Sequence, residues 1–366
     1  MEENQDYLTK QIITYIGNKR KLLTFINKHI IDIKQKLNKN KLNILDGFSG
    51  TGIVSRYFKQ HSNLLITNDL EQYSQITNEC FLTNKSTINH KKLQQYITHI
   101  ENIKLKKRNN KGIIQELYAP NDENDITKQD RVFYTIKNAT IIDNIREELN
   151  NIEQPYKNII LSILLAKSSV HANTSGVFKG FYKDKNTGIG CYGGTAKNCL
   201  SRITSNITIE YPVLSNFECD YIVYKEDINK LVSSIKNMDI VYYDPPYNQH
   251  PYGSNYFMLN LISSYIKPKN ISKISGIPVD WTKSTYNKKN EIYNSLNHLI
   301  SNTDSKYILL SYNTEGFISL DDMFNLLKQY GNVSVSDTDY NVFRGCRNLK
   351  NRNHKVKELL FTLETT

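Results

Sequence analysis

Short apolar runs rich in β-branched and aromatic residues recur along the chain, and most are followed by a turn and a helical pattern. The first clear run is Asn43–Asp46, which ends in the glycine-bearing loop Gly47–Gly52. Strands that alternate with helices are typical of a mostly parallel sheet covered on both faces. The sequence therefore predicts an α/β fold, with strands at Asn43–Asp46, Leu64–Asp69, Tyr221–Tyr224, Ile240–Tyr243, Tyr307–Ser311 and Leu359–Leu363.

Residues 86–211 interrupt this alternation of strands and helices. Apolar residues recur at helical spacing from Asn138 to Lys167, and the Gln154-Pro155 step should divide that stretch into two helices. No long Gly, Ser or Pro tether flanks the region, which favours an insertion over a separate domain on linkers. We therefore assign 8–85 and 212–366 to the α/β core, and 86–211 to a mainly helical insertion.

The charge balance favours a nucleic acid as partner. The chain has 47 Lys and Arg residues against 36 Asp and Glu residues, a formal net charge of +11. Each phosphate contact made by Lys or Arg releases counterions, so a basic protein gains from binding an acidic polymer. A soluble basic enzyme without such a partner would show the same balance, and charge alone leaves that alternative open.

Cysteine usage, the amino terminus and the apolar runs indicate the cellular setting. The five cysteines are scattered and include no Cys-x-x-Cys pair, so we predict reduced thiols and no metal site. Residues Met1–Asp6 are acidic and polar, unlike a secretory signal. The longest apolar stretch, around Ile159–Ala166, is too short to cross a bilayer. We expect a soluble, cytoplasmic protein.

The strongest chemical signal is Asp244–Tyr247, an Asp-Pro-Pro-Tyr sequence directly after a strand-like run. Pro245 and Pro246 stiffen the backbone and remove two N–H donors, which leaves carbonyls at fixed positions. An ionised Asp244 only accepts hydrogen bonds, and Tyr247 offers a ring face. Asp244 and a proline-loop carbonyl can each accept one hydrogen of an amino group on a planar base stacked on Tyr247, which makes that nitrogen a better nucleophile towards a methyl sulfonium. The alternative is a strand that ends in a simple proline turn.

The loop after the first predicted strand is a second candidate site. Gly50 and Gly52 let backbone approach a ligand where a Cβ would clash. Dinucleotide-binding enzymes have a similar loop, but Ser55 stands where their third glycine belongs, which lowers the odds of NAD or FAD. Asp69 ends the second predicted strand and can accept hydrogen bonds from ribose hydroxyls. Its alternative role is to cap the following helix.

A third segment, Tyr15–Leu23, precedes the first predicted strand. Taken alone, it predicts a turn and then an amphipathic helix with Leu22, Leu23 and Ile26 on one face. On that interpretation Lys19 would be an ordinary exposed cation.

Together the three segments resemble adenine-specific DNA methyltransferases of the Dam-like class, also called the D12 or alpha class. In that family a Tyr/Trp-x-Gly-x-Lys segment precedes an Asp-x-Phe-x-Gly-x-Gly loop, and Asp-Pro-Pro-Tyr comes much later. This chain has Tyr15–Lys19, Asp46–Gly52 and Asp244–Tyr247 in that order. Their order and spacing make the match specific. Further family-like pieces extend it over nearly the whole chain: Asn68–Leu70, Glu226–Asp227, Ser254–Tyr256, Leu310–Asn313 and Lys355–Phe361.

The resemblance implies a Rossmann-like class I methyltransferase sheet, mostly parallel with an antiparallel C-terminal strand, and makes 86–211 the inserted DNA-recognition region. It implies S-adenosyl-L-methionine as methyl donor and double-stranded DNA as substrate, with base flipping to present adenine N6. By motif position, Tyr15 and Lys19 would contact the methionine end of the donor, Asp69 the ribose and Asp227 the adenine. The other implied donor-binding residues are Asp46, Phe48, Gly50 and Gly52, and the implied catalytic residues are Asp244, Pro245, Pro246 and Tyr247.

A basic stretch near the carboxyl terminus is predicted to contact DNA phosphates. It includes Arg344, Arg347, Lys350 and Arg352. Its alternative is a solvated surface face.

Three rival functions remain open from the sequence. A cytosine-N4 methyltransferase acts on a similar exocyclic amine, although that class more often has Ser-Pro-Pro-Tyr and another motif order. Enzymes that methylate RNA or a glutamine amide more often carry Asn in place of Asp244. A non-catalytic DNA-binding module on a methyltransferase scaffold is the third, and the intact Asp244 and Tyr247 argue against it. An N6-adenine enzyme of this kind serves either a restriction-modification system with a cognate endonuclease or a solitary role.

Overall fold

The computed structural model describes residues 2–341 and 355–366, and the predicted DNA contacts Arg344, Arg347, Lys350 and Arg352 lie outside these ranges. The helices of the described residues are α1 (Gln5–Thr9), α2 (Leu23–Leu37), α3 (Ile53–Lys59), α4 (Gln72–Leu82), α5 (His90–Ile103), α6 (Ile113–Tyr118), α7 (Ile136–Glu148), α8 (Tyr156–His171), α9 (Leu200–Thr204), α10 (Ile228–Leu231), α11 (Tyr252–Asn255), α12 (Phe257–Ser264), α13 (Ile292–Ser301) and α14 (Leu320–Lys328). The strands are β1 (Leu42–Asp46), β2 (Ser62–Asp69), β3 (Asp220–Lys225), β4 (Met238–Tyr243), β5 (Ser305–Asn313), β6 (Gly331–Asn341) and β7 (Lys355–Thr365).

The described strands form one sheet in the order β3-β2-β1-β4-β5-β7-β6. β7 is antiparallel to both of its neighbours, and the other neighbouring pairs are parallel. This confirms the predicted mostly parallel sheet with an antiparallel C-terminal strand. After β1 the chain builds outward through β2 and β3, and it then returns to place β4 on the other side of β1. Such a reversal opens a crevice outside the carboxyl ends of the two central strands, where ligands bind in open α/β sheets.

Both faces of the sheet are buried. Along β4, Ile240 and Tyr242 belong to one apolar cluster with α2 and α3. Val241 and Tyr243 belong to a second cluster on the other face, with α13 and α14. Because successive side chains of a strand point to opposite faces, a strand covered on both sides is apolar at nearly every position. The continuous apolar runs of the sequence reflect this burial.

The strand β6 is absent from the sequence-based prediction. It pairs with β7 at the edge of the sheet. Residues 331–339 are all partly or fully exposed, and polar residues dominate them. Since an exposed edge strand needs no buried face, hydrophobic periodicity gives no signal for it.

The region 86–211 is mainly helical, as predicted, and contains α5 to α9. The break between α7 and α8 contains the Gln154-Pro155 peptide, which is cis. The apolar residues of these helices form a third cluster that also includes Tyr73 of α4 and Met258 of α12. The insertion thus shares its core with the two helices that follow the carboxyl ends of β2 and β4. The exact division at 85 and 212 stays a prediction.

Three properties of the described residues bear on the predicted cellular setting. No helix among them combines the length and apolar character that a membrane span requires. Their four cysteines are free thiols: Cys80, Cys191, Cys199 and Cys219. His, Cys, Asp and Glu side chains in the described ranges form no group of three or more suited to a metal ion.

Candidate active site

A cavity opens at the carboxyl edge of the sheet, between β1 and β4. It encloses about 780 Å³ including its open mouth. Loops after β1, β2 and β4 form its floor, and the segment 15–19 covers one side. The predicted site residues on its wall are Tyr15, Lys19, Asp46, Phe48, Gly50, Asp69, Asp244 and Pro246.

The glycines of the β1 loop meet a strict steric demand. Gly50 has a φ of 52° and Gly52 a φ of 73°, both in the left-handed region that favours glycine. A Cβ on Gly52 would lie 2.6 Å from Asn78 Oδ1. Gly52 stands immediately before α3, so the loop can turn sharply and still present its backbone to the cavity. Gly52 lies behind the cavity wall and shapes it from there.

Asp46 ends β1 as a fully buried carboxylate on the cavity wall. Its Oδ2 accepts a hydrogen bond from Ser55 Oγ at 2.5 Å. Its Oδ1 has no partner at hydrogen-bonding geometry, although the Phe48 N–H is near enough to favour the ionised form. Burial outweighs both interactions and raises the Asp46 pKa to about 7. Ser55, at the position of the missing third glycine, therefore orients a cavity acid.

Asp69 ties the glycine loop to the start of α4. Its Oδ2 accepts from the Gly50 N–H at 2.8 Å, and its Oδ1 accepts from the Glu71 N–H at 2.9 Å. Asp69 thus lies on the cavity wall as predicted, whereas it does not cap the helix, because the cap position of α4 is Glu71 and no side chain caps it. Burial raises the Asp69 pKa. Glu71, which the sequence analysis missed, also lines the cavity, and burial together with the nearby Asp69 raises its pKa to about 8.

Tyr15 belongs to a tyrosine cluster on the cavity wall. Its ring stacks on Tyr252 at a centroid distance of 5.0 Å and on Tyr256 at 4.4 Å. Its hydroxyl shares a hydrogen bond of 3.0 Å with Tyr73 Oη. The cluster joins the amino-terminal segment to α4, α11 and α12. Tyr252 was missed by the sequence analysis, and its only signal is its spacing of four residues from Tyr256.

Lys19 is buried between two carboxylates. Its Nζ lies 3.2 Å from Asp244 Oδ1 and 3.2 Å from Glu358 Oε2. Burial alone would lower the Lys19 pKa, but the two acids raise it well above its ordinary value. The expectation of an exposed cation, drawn from the local pattern alone, is wrong because strand β7 brings Glu358 over the segment. Glu358 was not among the predicted site residues.

Asp244 lies at the end of β4 and lines the cavity. Burial raises its pKa to about 6, while Lys19 lowers the pKa and Glu358 raises it. The Ser311 hydroxyl also donates a hydrogen bond to it. Its side chain keeps 19% exposure, whereas those of Lys19 and Glu358 keep 5% each. Lys19, Asp244 and Glu358 thus form a triad, and the Asp244 carboxylate is its most exposed member and faces the cavity.

The rest of Asp244–Tyr247 is fixed by contacts with β5. Asn313 Nδ2 donates to Tyr247 Oη at 2.7 Å. The Tyr247 ring packs edge-on against Tyr312 at 5.5 Å. Pro246 lines the cavity, while Pro245 is buried behind it. The motif therefore presents one carboxylate and one proline face to the cavity, while the Tyr247 ring is held by β5 outside the cavity lining.

Asp227 lies outside the cavity lining. Its Oδ1 accepts from the Asn229 N–H at 2.9 Å and caps α10. Phe48, which does line the cavity, packs edge-on against Tyr286 at 5.1 Å. Tyr286 Oη in turn donates to Asn229 Oδ1 at 2.7 Å. Contact between Asp227 and a bound adenine stays a prediction.

One part of the cavity wall carried no sequence signal. It comes from the chain between α12 and α13 and includes Thr282, Ser284 and Asn287. Asn287 is anchored by its Nδ2, which donates to the Asn248 carbonyl at 2.8 Å. Small polar residues in a connecting segment are common on any surface, so only the fold places them at this site.

Comparison with known proteins gives one consistent family. The model of the D12 class N6 adenine-specific DNA methyltransferases matches residues 15–326. Type II methyltransferase M.NlaIII of Neisseria lactamica is 30% identical over 97% of this chain and 100% of its own. Type II methyltransferase M.CviAII of Paramecium bursaria Chlorella virus 1 is 28% identical over 95% of this chain and 97% of its own. Modification methylase StsI of Streptococcus sanguinis is 30% identical over 96% of this chain, which spans 51% of that protein.

The motifs that define the resemblance lie far apart in the sequence, yet they converge on one cavity at the switch point of the sheet. The family model covers most of the chain and includes all three of them. The chain belongs to the D12 class of N6 adenine-specific DNA methyltransferases.

Proposed function

We propose that this cavity binds S-adenosyl-L-methionine and that Asp244–Tyr247 receives an adenine flipped out of double-stranded DNA. The observation that carries the donor assignment is the charge of the wall. Asp46, Asp69, Glu71 and Asp244 all line the cavity, and Lys19, the lining cation among the described residues, is already paired.

A cationic ligand relieves this excess of buried acids. Burial raises the pKa values of Asp46, Glu71 and Asp244 to about 7, 8 and 6, although Lys225 lowers the pKa of Glu71 and Lys19 lowers that of Asp244. S-Adenosyl-L-methionine carries a sulfonium and an ammonium group, and both would favour the ionised acids. NAD or FAD, with their phosphates, would add negative charge to the same wall. The charge pattern therefore supports the methyl donor over a dinucleotide.

Different residues of the cavity wall bind different groups of the donor. Asp46 Oδ1 has a free acceptor position for the ammonium group. Each carboxylate oxygen accepts up to two hydrogen bonds, so Asp69 can hold a ribose hydroxyl while it keeps the Gly50 N–H. Gly50 exposes its backbone to the same ligand. When bound, the donor supplies a methyl group on a positively charged sulfur.

Asp244 and the proline loop act on the acceptor amine. The Asp244 carboxylate accepts one N6 hydrogen, and a carbonyl of the Pro245-Pro246 loop accepts the other, which fixes the nitrogen lone pair towards the methyl carbon. Tyr247 stacks on the adenine ring. Extrusion of a nucleotide costs on the order of a few kcal/mol, and stacking on an aromatic ring returns about 1–3 kcal/mol. Positioning of this kind is a major source of rate enhancement.

The Asp244 carboxylate also accepts a proton as the bond between nitrogen and the methyl carbon forms. The nitrogen gains a bond to the methyl carbon while the carbon–sulfur bond breaks, and the electron pair of that bond leaves with sulfur. The nitrogen then carries a positive charge and loses one hydrogen as a proton. Asp244, with a pKa of about 6, accepts that proton and releases it to water at the cavity mouth. Lys19, which Glu358 holds from the other side, keeps the carboxylate in place.

The similarity to Type II modification methylases supports a role in protecting DNA from a cognate restriction endonuclease. M.NlaIII of Neisseria lactamica matches over its full length, so the present chain contains the counterpart of that whole enzyme.

Substitution of Asp244 tests the catalytic assignment. Asp244→Ala removes the positioned acceptor, and loss of one preorganised hydrogen bond costs about 10²–10³ in rate. Asp244→Asn keeps one acceptor oxygen, so it should be slower than wild type but faster than Asp244→Ala. Single-turnover methyl transfer with donor and DNA saturating measures the rate. Calorimetric titration with S-adenosyl-L-methionine in the absence of DNA measures donor binding. A rate for Asp244→Ala within a few-fold of wild type would refute the assignment.

A further inference from the structure

A hairpin-like segment, residues 266–283, rises beside the mouth of the cavity. It follows α12, after Tyr265 turns the chain with a φ of 52°. The Ser272 N–H donates to the Ile277 carbonyl at 2.9 Å, and the Val279 N–H donates to the Asn270 carbonyl at 3.2 Å. The segment is thus a defined structure closed by its own backbone hydrogen bonds.

Contacts on two sides fix the 266–283 segment in place. Tyr118 Oη donates to the Gly276 carbonyl at 2.7 Å, and Arg131 Nη2 donates to the Lys273 carbonyl at 3.2 Å. At its other end, Thr282 packs so tightly on α11 that a Cβ on Gly253 would lie 2.2 Å from the Thr282 carbonyl oxygen. The segment therefore bridges the helical insertion and the cavity wall.

The outer surface of this segment is apolar. Ile266, Ile274 and Val279 are 72%, 71% and 60% exposed, the highest values among the large hydrophobic side chains of the described residues. Trp281, the single tryptophan of the chain, stands beside them with Lys283 Nζ 5.6 Å from its ring centroid. On a soluble protein, a group of exposed apolar side chains commonly marks a binding surface.

The charge of the segment is positive. Residues 266–283 contain four lysines and one acid, Asp280. A groove under the segment is lined by Lys225, Lys267 and Lys269 together with Trp281. This groove shares Leu70, Gly253 and Thr282 with the cavity, so the two are adjacent. Apolar and aromatic side chains set among lysines fit a nucleic acid strand, whose phosphates alternate with exposed sugar and base faces.

We propose that the 266–283 segment is a DNA-contact element that grips the strand beside the flipped adenine. The proposal rests on the proposed function, since a nucleotide that enters the cavity brings its neighbours to this rim. Lys269, Lys273 and Lys283 contact phosphates. Trp281 and Val279 pack on the sugar and base faces that the departing adenine uncovers, as apolar side chains do in proteins that unstack DNA.

Charge neutralisation tests the phosphate contacts. The full-length triple variant Lys269→Ala, Lys273→Ala and Lys283→Ala should bind duplex DNA more weakly. Its plot of log K against log salt should flatten by about 0.9 for each phosphate that the variant no longer neutralises. The matched control neutralises Lys36, Lys236 and Lys306, whose side chains are 51%, 55% and 55% exposed near the amino ends of the strands. An unchanged slope in the first variant, or an equal decrease in both, would overturn the proposal.

The single tryptophan provides a direct readout of the apolar contact. Titration of the wild-type protein with a duplex fragment, in saturating S-adenosylhomocysteine to prevent turnover, should quench Trp281 emission. The quenching should saturate together with fluorescence anisotropy of the labelled duplex, and Val279→Ser should reduce it. Emission that stays constant while DNA binds would show that the segment lies away from the strand.

Two further measurements separate this proposal from its rivals. Sedimentation of wild type and Ile274→Ser tests self-association, and a dimer that this substitution dissolves would make the segment a protein interface instead. Calorimetric titration with S-adenosyl-L-methionine should be unchanged in the lysine triple variant. Normal donor and DNA binding without any methyl transfer by wild type would refute the proposed function while the DNA-contact assignment stood.

Discussion

At the scale of single residues, Lys19 shows how far a side chain's environment can depend on distant parts of the chain. Its neighbours in the sequence predict a surface cation, and its motif position in the resembling family predicts donor contact. The structure buries it against Asp244 and Glu358, the latter 339 positions away. A partner at that separation leaves no local pattern, so Lys355–Phe361 was noted only as a family-like piece and Glu358 was not assigned to the site.

The contacts among Lys19, Asp244 and Glu358 predict how kcat/KM depends on pH. Asp244 must be ionised to accept an amine hydrogen, so kcat/KM for DNA should fall as pH falls through the Asp244 pKa of about 6. Lys19 lowers that pKa and Glu358 raises it. Lys19→Met should therefore move the acid limb of the profile to higher pH, and Glu358→Gln should move it to lower pH.

The measurement is the pH profile of kcat/KM for the two variants and wild type, with circular dichroism as the control for folding. A purely structural role would reduce activity at every pH without moving the limb. Shifts of both variants in the same direction would contradict the electrostatic account of the triad.

At the scale of elements, the glycine loop could be predicted from the sequence, whereas strand β6 could not. The loop demands left-handed backbone at Gly50 and Gly52, a requirement that only specific residue types meet, and so it leaves a motif. β6 is an exposed edge strand that demands little of its side chains, and it leaves none. The strands buried on both faces were predictable because continuous apolar runs bounded by turns are their direct consequence.

Gly52→Ala tests whether the loop geometry shapes the donor site. The added Cβ meets Asn78 Oδ1 at 2.6 Å and sits at a φ of 73°. Gly188→Ala is the matched control, because Gly188 has a φ of 69° but no atom within 4 Å of the added Cβ. The backbone cost alone is about 1–2 kcal/mol, so both variants should lose this much stability.

Gly52→Ala should lose further stability and should also bind S-adenosyl-L-methionine more weakly, because Asn78 must shift under the loop. Gly188→Ala should keep donor affinity. Thermal unfolding and calorimetric titration of the two variants give the comparison. Equal Tm values and equal donor affinities would show that the contact with Asn78 is unimportant.

At the scale of the whole molecule, the site is assembled by topology. The amino-terminal segment, the ends of β1, β2 and β4 and the side chain of Glu358 on β7 meet because the strand order reverses between β1 and β4. The motif order predicted which segments take part. The motif order could not predict the part of the cavity wall between α12 and α13, nor the exposed 266–283 segment. The composition of this region resembles any polar connection with a few apolar residues.

The insertion is coupled to the site through shared packing. Its apolar core includes Tyr73 of α4 and Met258 of α12, and these two helices are joined beside the cavity by a hydrogen bond from Asn260 Nδ2 to Glu71. The insertion and the cavity wall therefore share packed side chains.

In the proposed reaction the cavity places adenine N6, held by Asp244, against the methyl donor. The most direct test is to incubate the purified protein with duplex DNA and methyl-labelled S-adenosyl-L-methionine, digest the DNA to nucleosides and separate them. With wild type we expect label in N6-methyldeoxyadenosine, and with Asp244→Ala a large decrease of that label. Label in N4-methyldeoxycytidine, or undiminished label with Asp244→Ala, would contradict the proposed reaction.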